Sequence, residues 1–242
     1  MFRSKNFILV TVFLFLLAET FLGICIFQLR PMYGEFLRFL TIVVACLFCF
    51  LFIERSWLYV LTQFAFMMTL CGDGFLALPP EPIQIPGVLC FLAAQFAYAV
   101  RLFLSEKRPS YRRMHLIVRA LGSVLFTGAV AVILRENIDV LALLSVFYYI
   151  NLVLNFCFSC TQFREQKAMA IGFFFFMLSD LVLGLDFMEP YFALAEDSVL
   201  MRILQMDFDF IWAFYIPAQI SLAFSLLSKR WKSIPHHKKL HL

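Results

Sequence analysis

Eight times between residues 6 and 228 the chain runs for about 20 residues with almost no charge, the length an α-helix needs to cross the hydrocarbon core of a bilayer. The runs are 6–29, 36–53, 57–78, 86–104, 115–134, 138–160, 167–187 and 208–228. Inside lipid only a helix or a closed barrel satisfies the backbone. These runs lack the alternation of barrel strands, so the expected fold is an all-α polytopic membrane bundle of about eight transmembrane helices. Hydrophobic residues make up 63% of the chain, against roughly 45–50% in soluble domains. Eight crossings in 242 residues leave no room for a soluble unit, so residues 1–242 read as one transmembrane domain with a basic tail from about residue 229. The first run follows Arg3 and Lys5 as a signal peptide would, but it is too long, holds Glu19 and lacks a clear cleavage site; it is read as a helix.

Charge orients the bundle. With the N-terminus inside, fourteen Lys and Arg fall on the cytoplasmic side, among them Lys107, Arg108, Arg112, Arg113, Arg164 and Lys167. Only Arg30, Arg38, Arg135 and Arg202 fall on the other, with Arg101 and Arg119 toward the cytoplasmic ends of their helices. That bias places both termini in the cytoplasm. The tail "SKRWKSIPHHKKLHL" then reads as an anchor against anionic membrane lipid, and no nucleic-acid partner is expected. All seven Cys lie within the runs; two pairs are three residues apart, but no second pair completes a zinc site, so they read as small, buried, inert thiols. The proline-rich "LPPEPIQIPG" is an extended turn, and "MEPYFALAEDSVLMRILQMD" is expected to form an amphipathic cap at the outer surface.

Two carboxylates disturb this pattern: Asp73 in "MMTLCGDGFLAL" and Asp180 in "FFFFMLSDLVLGL". A charged side chain at the bilayer centre costs about 2.5–3.5 kcal/mol even on the lenient insertion scale, so such groups face the bundle interior and serve a purpose. At about 1.5 Å of rise per residue, Asp73 lies roughly 7–8 Å, and Asp180 roughly 10 Å, below the outer ends of their helices. On the last helix Tyr215 comes to roughly the same depth, with Gln219 one turn deeper on the same face. Gln95 and Tyr98 are paired in the same way on the fourth run, and Asn151, Asn155 and Glu19 lie nearer the midplane. Tyr98, Tyr148 and Tyr149 also read as ordinary packing, the two Asn as interhelical hydrogen-bond glue, and Glu19 as a bridge between helices. Asp186 and Asp207 mark helix ends. Two carboxyl groups sharing a poorly solvated cavity do not both ionise, so one keeps a proton available for general acid catalysis or for exchange within the pair.

The ordered segments "LCGDGFLALP", "PGVLCFLAAQFAY", "GFFFFMLSD" and "FYIPAQ" together resemble the YhhN family of membrane lysoplasmalogenases, from about Leu58 to Ser228. The resemblance implies hydrolysis of the vinyl ether bond of a lysophospholipid substrate, releasing a fatty aldehyde and a glycerophospho-headgroup with no metal or other cofactor. It implies Asp73 and Asp180 as the catalytic pair, with Gln95, Tyr98, Tyr215, Gln219 and Asn151 positioning substrate or water. The implied location is a bacterial inner membrane or a eukaryotic internal one. Two departures stand out. Gln95, which neither gives nor takes a proton, occupies a position where members often carry His, and "RFLTIVVA" lacks their Lys-Pro. Other functions use paired membrane carboxylates too. An intramembrane aspartyl protease needs motifs this chain lacks, such as Pro-Ala-Leu after Asp180, and a proton-coupled transporter would show a repeat or a broken helix.

Overall fold

The computed structural model describes residues 5–52, 56–134, 139–188, 206 and 208–227, and every regular element among them is helical. The elements are α1 (Lys5–Leu51), α2 (Trp57–Ala77), α3 (Gln84–Ser105), α4 (Pro109–Leu134), α5 (Val140–Thr161), α6 (Phe163–Met188) and α7 (Phe210–Phe224). Seven apolar spans among the described residues are long enough to cross a membrane, two of them within α1: Asn6–Gln28 and Gly34–Leu51. The protein is thus a multi-pass integral membrane protein with an all-helical bundle.

A straight helix of this length would separate Phe15 from Phe48 by about 50 Å. Their rings instead stack 4.1 Å apart. The chain therefore doubles back between the two spans of α1, and the separation of the first two runs read from the sequence is kept by a reversal rather than by a loop. Around this hairpin the helices close a ring in the order α1, α2, α3, α5, α6, α7 and back to α1, with α4 outside it, resting on α5.

Local chemistry sets the helix ends. Asp139 caps α5 by accepting a hydrogen bond from the Ala142 backbone N–H at 2.7 Å. Asp209 caps α7 through the Trp212 N–H at 3.3 Å and also pairs with Arg38 of α1. Pro109, whose missing N–H costs nothing in a first turn, opens α4 six residues before the run read from the sequence. Gln166 leaves helical geometry (φ −124°, ψ 32°), so α6 is kinked just before Lys167, where the run read from the sequence begins.

Two expectations need correction. The last helix is shorter than the 208–228 read from hydropathy: it is regular only over Phe210–Phe224, after which i→i−3 bonds from the Ser225 and Leu226 N–H groups to the Leu222 and Ala223 carbonyls tighten the last turn. The cysteines are all free but not all buried: Cys46 and Cys49 are, whereas Cys157 and Cys160 are exposed on α5. The outer cap falls largely outside the described residues, as do Asp207, the Asp186 side chain and the basic tail.

Where backbones must come close, glycine is required. A Cβ at Gly172 of α6 would lie 2.7 Å from the Leu222 side chain and 3.0 Å from its backbone nitrogen on α7. One at Gly72 would lie 2.8 Å from the Phe91 ring, so α2 and α3 meet closely one residue before Asp73.

Candidate functional site

The carboxylates that the sequence places in the membrane come within electrostatic range of each other. Tyr215 of α7 donates its hydroxyl proton to Asp73 Oδ2 of α2 at 2.8 Å. Tyr148 of α5 donates to Asp180 Oδ2 of α6. Asp73 lies within electrostatic range of Asp180, and each tyrosine feels both carboxylates, so two acids and two phenols from four helices form one cluster. Asp73 is buried at 7% exposure, while Asp180 is partly exposed, which opens the cluster on the Asp180 side.

Aromatic rings wall the cluster. Phe176 packs edge-on to Tyr215 at 5.3 Å, and Phe91 lies 6.0 Å from Tyr148 and 6.4 Å from Phe176. Trp212 covers Tyr215 at 5.0 Å. Hydrocarbon walls around carboxylates exclude bulk water, so the phenol protons are the main local stabilisation of negative charge.

Behind Tyr148 runs a chain of polar groups. Arg119 of α4 donates to Asn151 Oδ1 and to Asn155 Oδ1, both at 2.7 Å, and lies 3.2 Å from His115 Nε2. Asn155 Nδ2 donates to the Gln95 backbone carbonyl and to Gln95 Oε1, both at 2.9 Å. The Gln95 side chain in turn approaches the Tyr148 hydroxyl. Arginine can only donate, and that fixes the sense of every amide in the row: Asn155 presents oxygen to α4 and nitrogen to α3, and Gln95 is left with its nitrogen toward Tyr148. Tyr148 in turn gives its proton to Asp180.

The seven residues singled out in the sequence separate in space. Asp73, Asp180 and Tyr215 belong to the cluster, and Gln95 borders it through Tyr148. Gln219 lies one turn inward of Tyr215, fully buried. Asn151 is held elsewhere, between Arg119 and Ser123, to which its Nδ2 donates at 3.2 Å. Tyr98 packs edge-on to Phe173 at 5.2 Å, with its hydroxyl near Arg101 and Cys49 rather than the acids. Two residues escaped the sequence reading, Tyr148 as mere packing and Arg119 as a charge near a helix end. The spacing of Tyr148, Asn151 and Asn155 at i, i+3 and i+7 was the available signal, since it puts all three on one face of α5.

A buried cation, Arg101 of α3, ties α3 to α2 and to the end of α7. It donates to Thr62 Oγ1 at 2.5 Å, Ser225 Oγ at 2.7 Å and the Ser225 carbonyl at 3.0 Å. Among the described residues no three His, Cys, Asp or Glu side chains are grouped as metal ligands.

Comparison with curated proteins and with solved structures gave no match. A model of the YhhN family matches residues 35–226, starting in the second span of α1 and therefore earlier than Leu58, where the resemblance of motifs begins. The match covers most of the chain and includes both carboxylates, both phenols and the polar row behind them, and the chain belongs to the YhhN family.

Proposed function

We propose that this protein is a membrane hydrolase that cleaves the vinyl ether bond of lysoplasmalogens, in a bacterial inner membrane or a eukaryotic internal one. The observation that supports this reading best is the cluster itself: Asp73 and Asp180, each engaged by a phenol, sharing one apolar-walled space. A vinyl ether needs neither a nucleophilic serine nor a Lewis acid. Protonation of its β-carbon gives an oxocarbenium ion, water adds to that ion, and the resulting hemiacetal collapses to an aldehyde and an alcohol.

A pair of coupled carboxyl groups suits both halves of the reaction. One carries the proton that goes to carbon, and the other, as carboxylate, faces the cation and takes the proton lost by the incoming water, so the pair ends with the one proton it began with. Tyr148 and Tyr215 hold the carboxyl planes in place. Phe91, Phe176 and Trp212 offer the alkenyl chain an apolar wall, and the partly exposed side at Asp180 gives it a way in. Gln95 acts through Tyr148 as a positioning residue, which suits an amide at the position where relatives often carry His.

The test is aldehyde release from a 1-alkenyl lysophospholipid by the purified full-length protein in nanodiscs, run in H2(18)O, where the glycerol product is expected to stay unlabelled because it keeps the ether oxygen. Wild type is expected to turn over, and Asp73→Asn and Asp180→Asn to lose at least 100-fold. Undiminished activity in both variants would overturn the assignment. Inactivity of the wild type toward several headgroups would overturn the reading as a whole and favour the transporter alternative, for which proton flux in proteoliposomes is the assay.

A further inference from the structure

One turn inward of the Asp73–Tyr215 hydrogen bond the helices present a second polar layer. Helices α2 and α7 run antiparallel, so Thr69, one turn inward on α2, and Gln219, one turn inward on α7, are brought level on the same faces. Both are 1% exposed, and neither the Thr69 hydroxyl nor either polar atom of the Gln219 amide has a hydrogen-bond partner.

A third side chain reaches this level from α1. Phe15 meets Phe224 at 5.8 Å, and a Cβ on Gly23 would touch Ile216 at 3.6 Å. Glu19 lies midway between those contacts on the same stripe of α1, hence level with Gln219 and Ile220. It is 1% exposed, and both of its oxygens are without a partner. On α3, Gln95 Nε2 approaches the Tyr148 hydroxyl without reaching hydrogen-bond geometry and extends the layer toward Tyr148. One turn further in, the same faces of α2 and α7 carry Phe66 and Leu222, both 0% exposed, which floor the layer with hydrocarbon.

Leaving one such buried polar atom unpaired costs roughly 1–3 kcal/mol, and here six lie at one level, a mixture of donors and acceptors. A charged or apolar ligand would satisfy only part of that set, whereas water both donates and accepts. We propose that Glu19, Thr69, Gln95 and Gln219 form a buried hydration site directly beneath the Asp73–Asp180 cluster, and that this site holds the water consumed at the cluster. The supply role rests on the hydrolase reading; the hydration site does not. Glu19 lies outside the residues that match the family, so this wall of the site comes from the first span of α1, which precedes the matched region.

Hydroxyl-radical footprinting by X-ray pulse, read by mass spectrometry on the full-length protein in nanodiscs, tests the site without substrate. Radicals form at bound water, so Phe66 and Leu222 are expected to be oxidised at least fivefold faster than Ile26 and Leu102, which are equally buried but lie away from the layer. Gln219→Leu and Glu19→Leu should bring Phe66 and Leu222 down to that background, whereas Glu19→Gln, which keeps the polar atoms, should leave them labelled. Thermal melting confirms that each variant is folded. If Phe66 and Leu222 label no faster than Ile26 and Leu102, or label equally in folded leucine variants, the hydration site is wrong, whatever the enzyme does. If the hydrolase assay succeeds, Glu19→Leu should lower kcat about tenfold at unchanged KM, because water rather than lipid is lost; an unchanged kcat would overturn the supply role alone.

Discussion

Tyr215 hydrogen-bonds to Asp73 at 2.8 Å across 142 residues of sequence, and this single contact joins the outer part of α2 to the last helix of the bundle. Its counterpart, Tyr148 with Asp180, does the same for α5 and α6. Each carboxylate is thus held by a neutral donor rather than a cation. Such an arrangement orients an acid without locking it into the ionised state, as a guanidinium would.

Removing only a phenol proton tests this. Tyr215→Phe and Tyr148→Phe keep the ring contacts with Phe176 and Phe91 and delete the donor. Each is expected to lower kcat for vinyl ether hydrolysis about 10- to 100-fold, less than the loss on changing the aspartate it serves. Steady-state kinetics on the four single variants and on the double phenylalanine variant measures it.

The polar row behind Tyr148 gives a graded expectation. Asn155→Leu frees Gln95 from its anchor on α5 and should reduce kcat roughly tenfold at unchanged KM. Arg119→Lys retains the charge but loses the fork that engages Asn151 and Asn155 together, and it should behave like Asn155→Leu rather than like wild type. The kcat and KM of each variant, with melting temperatures in detergent, decide the matter.

Helix approach at Gly172 is predicted to be intolerant. With the Leu222 backbone only 3.0 Å from where a methyl would sit, Gly172→Ala forces α6 and α7 apart and should cost about 1–3 kcal/mol. Gly184→Ala, on the same helix with nothing within 4 Å of the added carbon, is the control and should be neutral. Thermal or SDS unfolding of the two variants compares them directly.

Just past the end of α3, Glu106 accepts from the Arg108 side chain at 2.8 and 2.9 Å and from its backbone N–H at 3.0 Å. Those bonds lower its pKa from 4.5 to about 2. Because the folded value is the lower one, the stability it contributes is present above the unfolded pKa and is lost as pH falls toward 2. Arg108 is half-exposed, so solvent screening keeps the contribution small. The melting temperature of wild type should fall between pH 5 and pH 3 more steeply than that of Glu106→Gln, and parallel slopes would show that the pair contributes nothing.

Much of the bundle follows from the chain alone, because lipid penalises charge so heavily that each span announces itself. Depth is legible too: helix rise puts Asp73, Asp180 and Tyr215 at one level. Lateral order is not. Nothing local states that α5 inserts between α3 and α6 while α4 stays outside, and Tyr148 therefore looks like any other aromatic in a chain with 32 phenylalanines. The end of α7 was hidden for a related reason: Leu226 and Leu227 continue the apolar run, whereas the tightened turn coincides with a contact to another helix, where the Ser225 carbonyl accepts from Arg101 of α3.

The attachment of α4 to α5 through Arg119 bears on how the bundle is assembled in a cell. Its guanidinium finds two amide oxygens only on α5, the very next segment to leave the ribosome. Until that segment arrives, α4 carries a bare cation in oil; afterward the two can partition into the bilayer as a hairpin. The translocon should therefore retain α4 and release it with its successor, and a chain halted before Asn151 should have α4 still poised at the lateral gate.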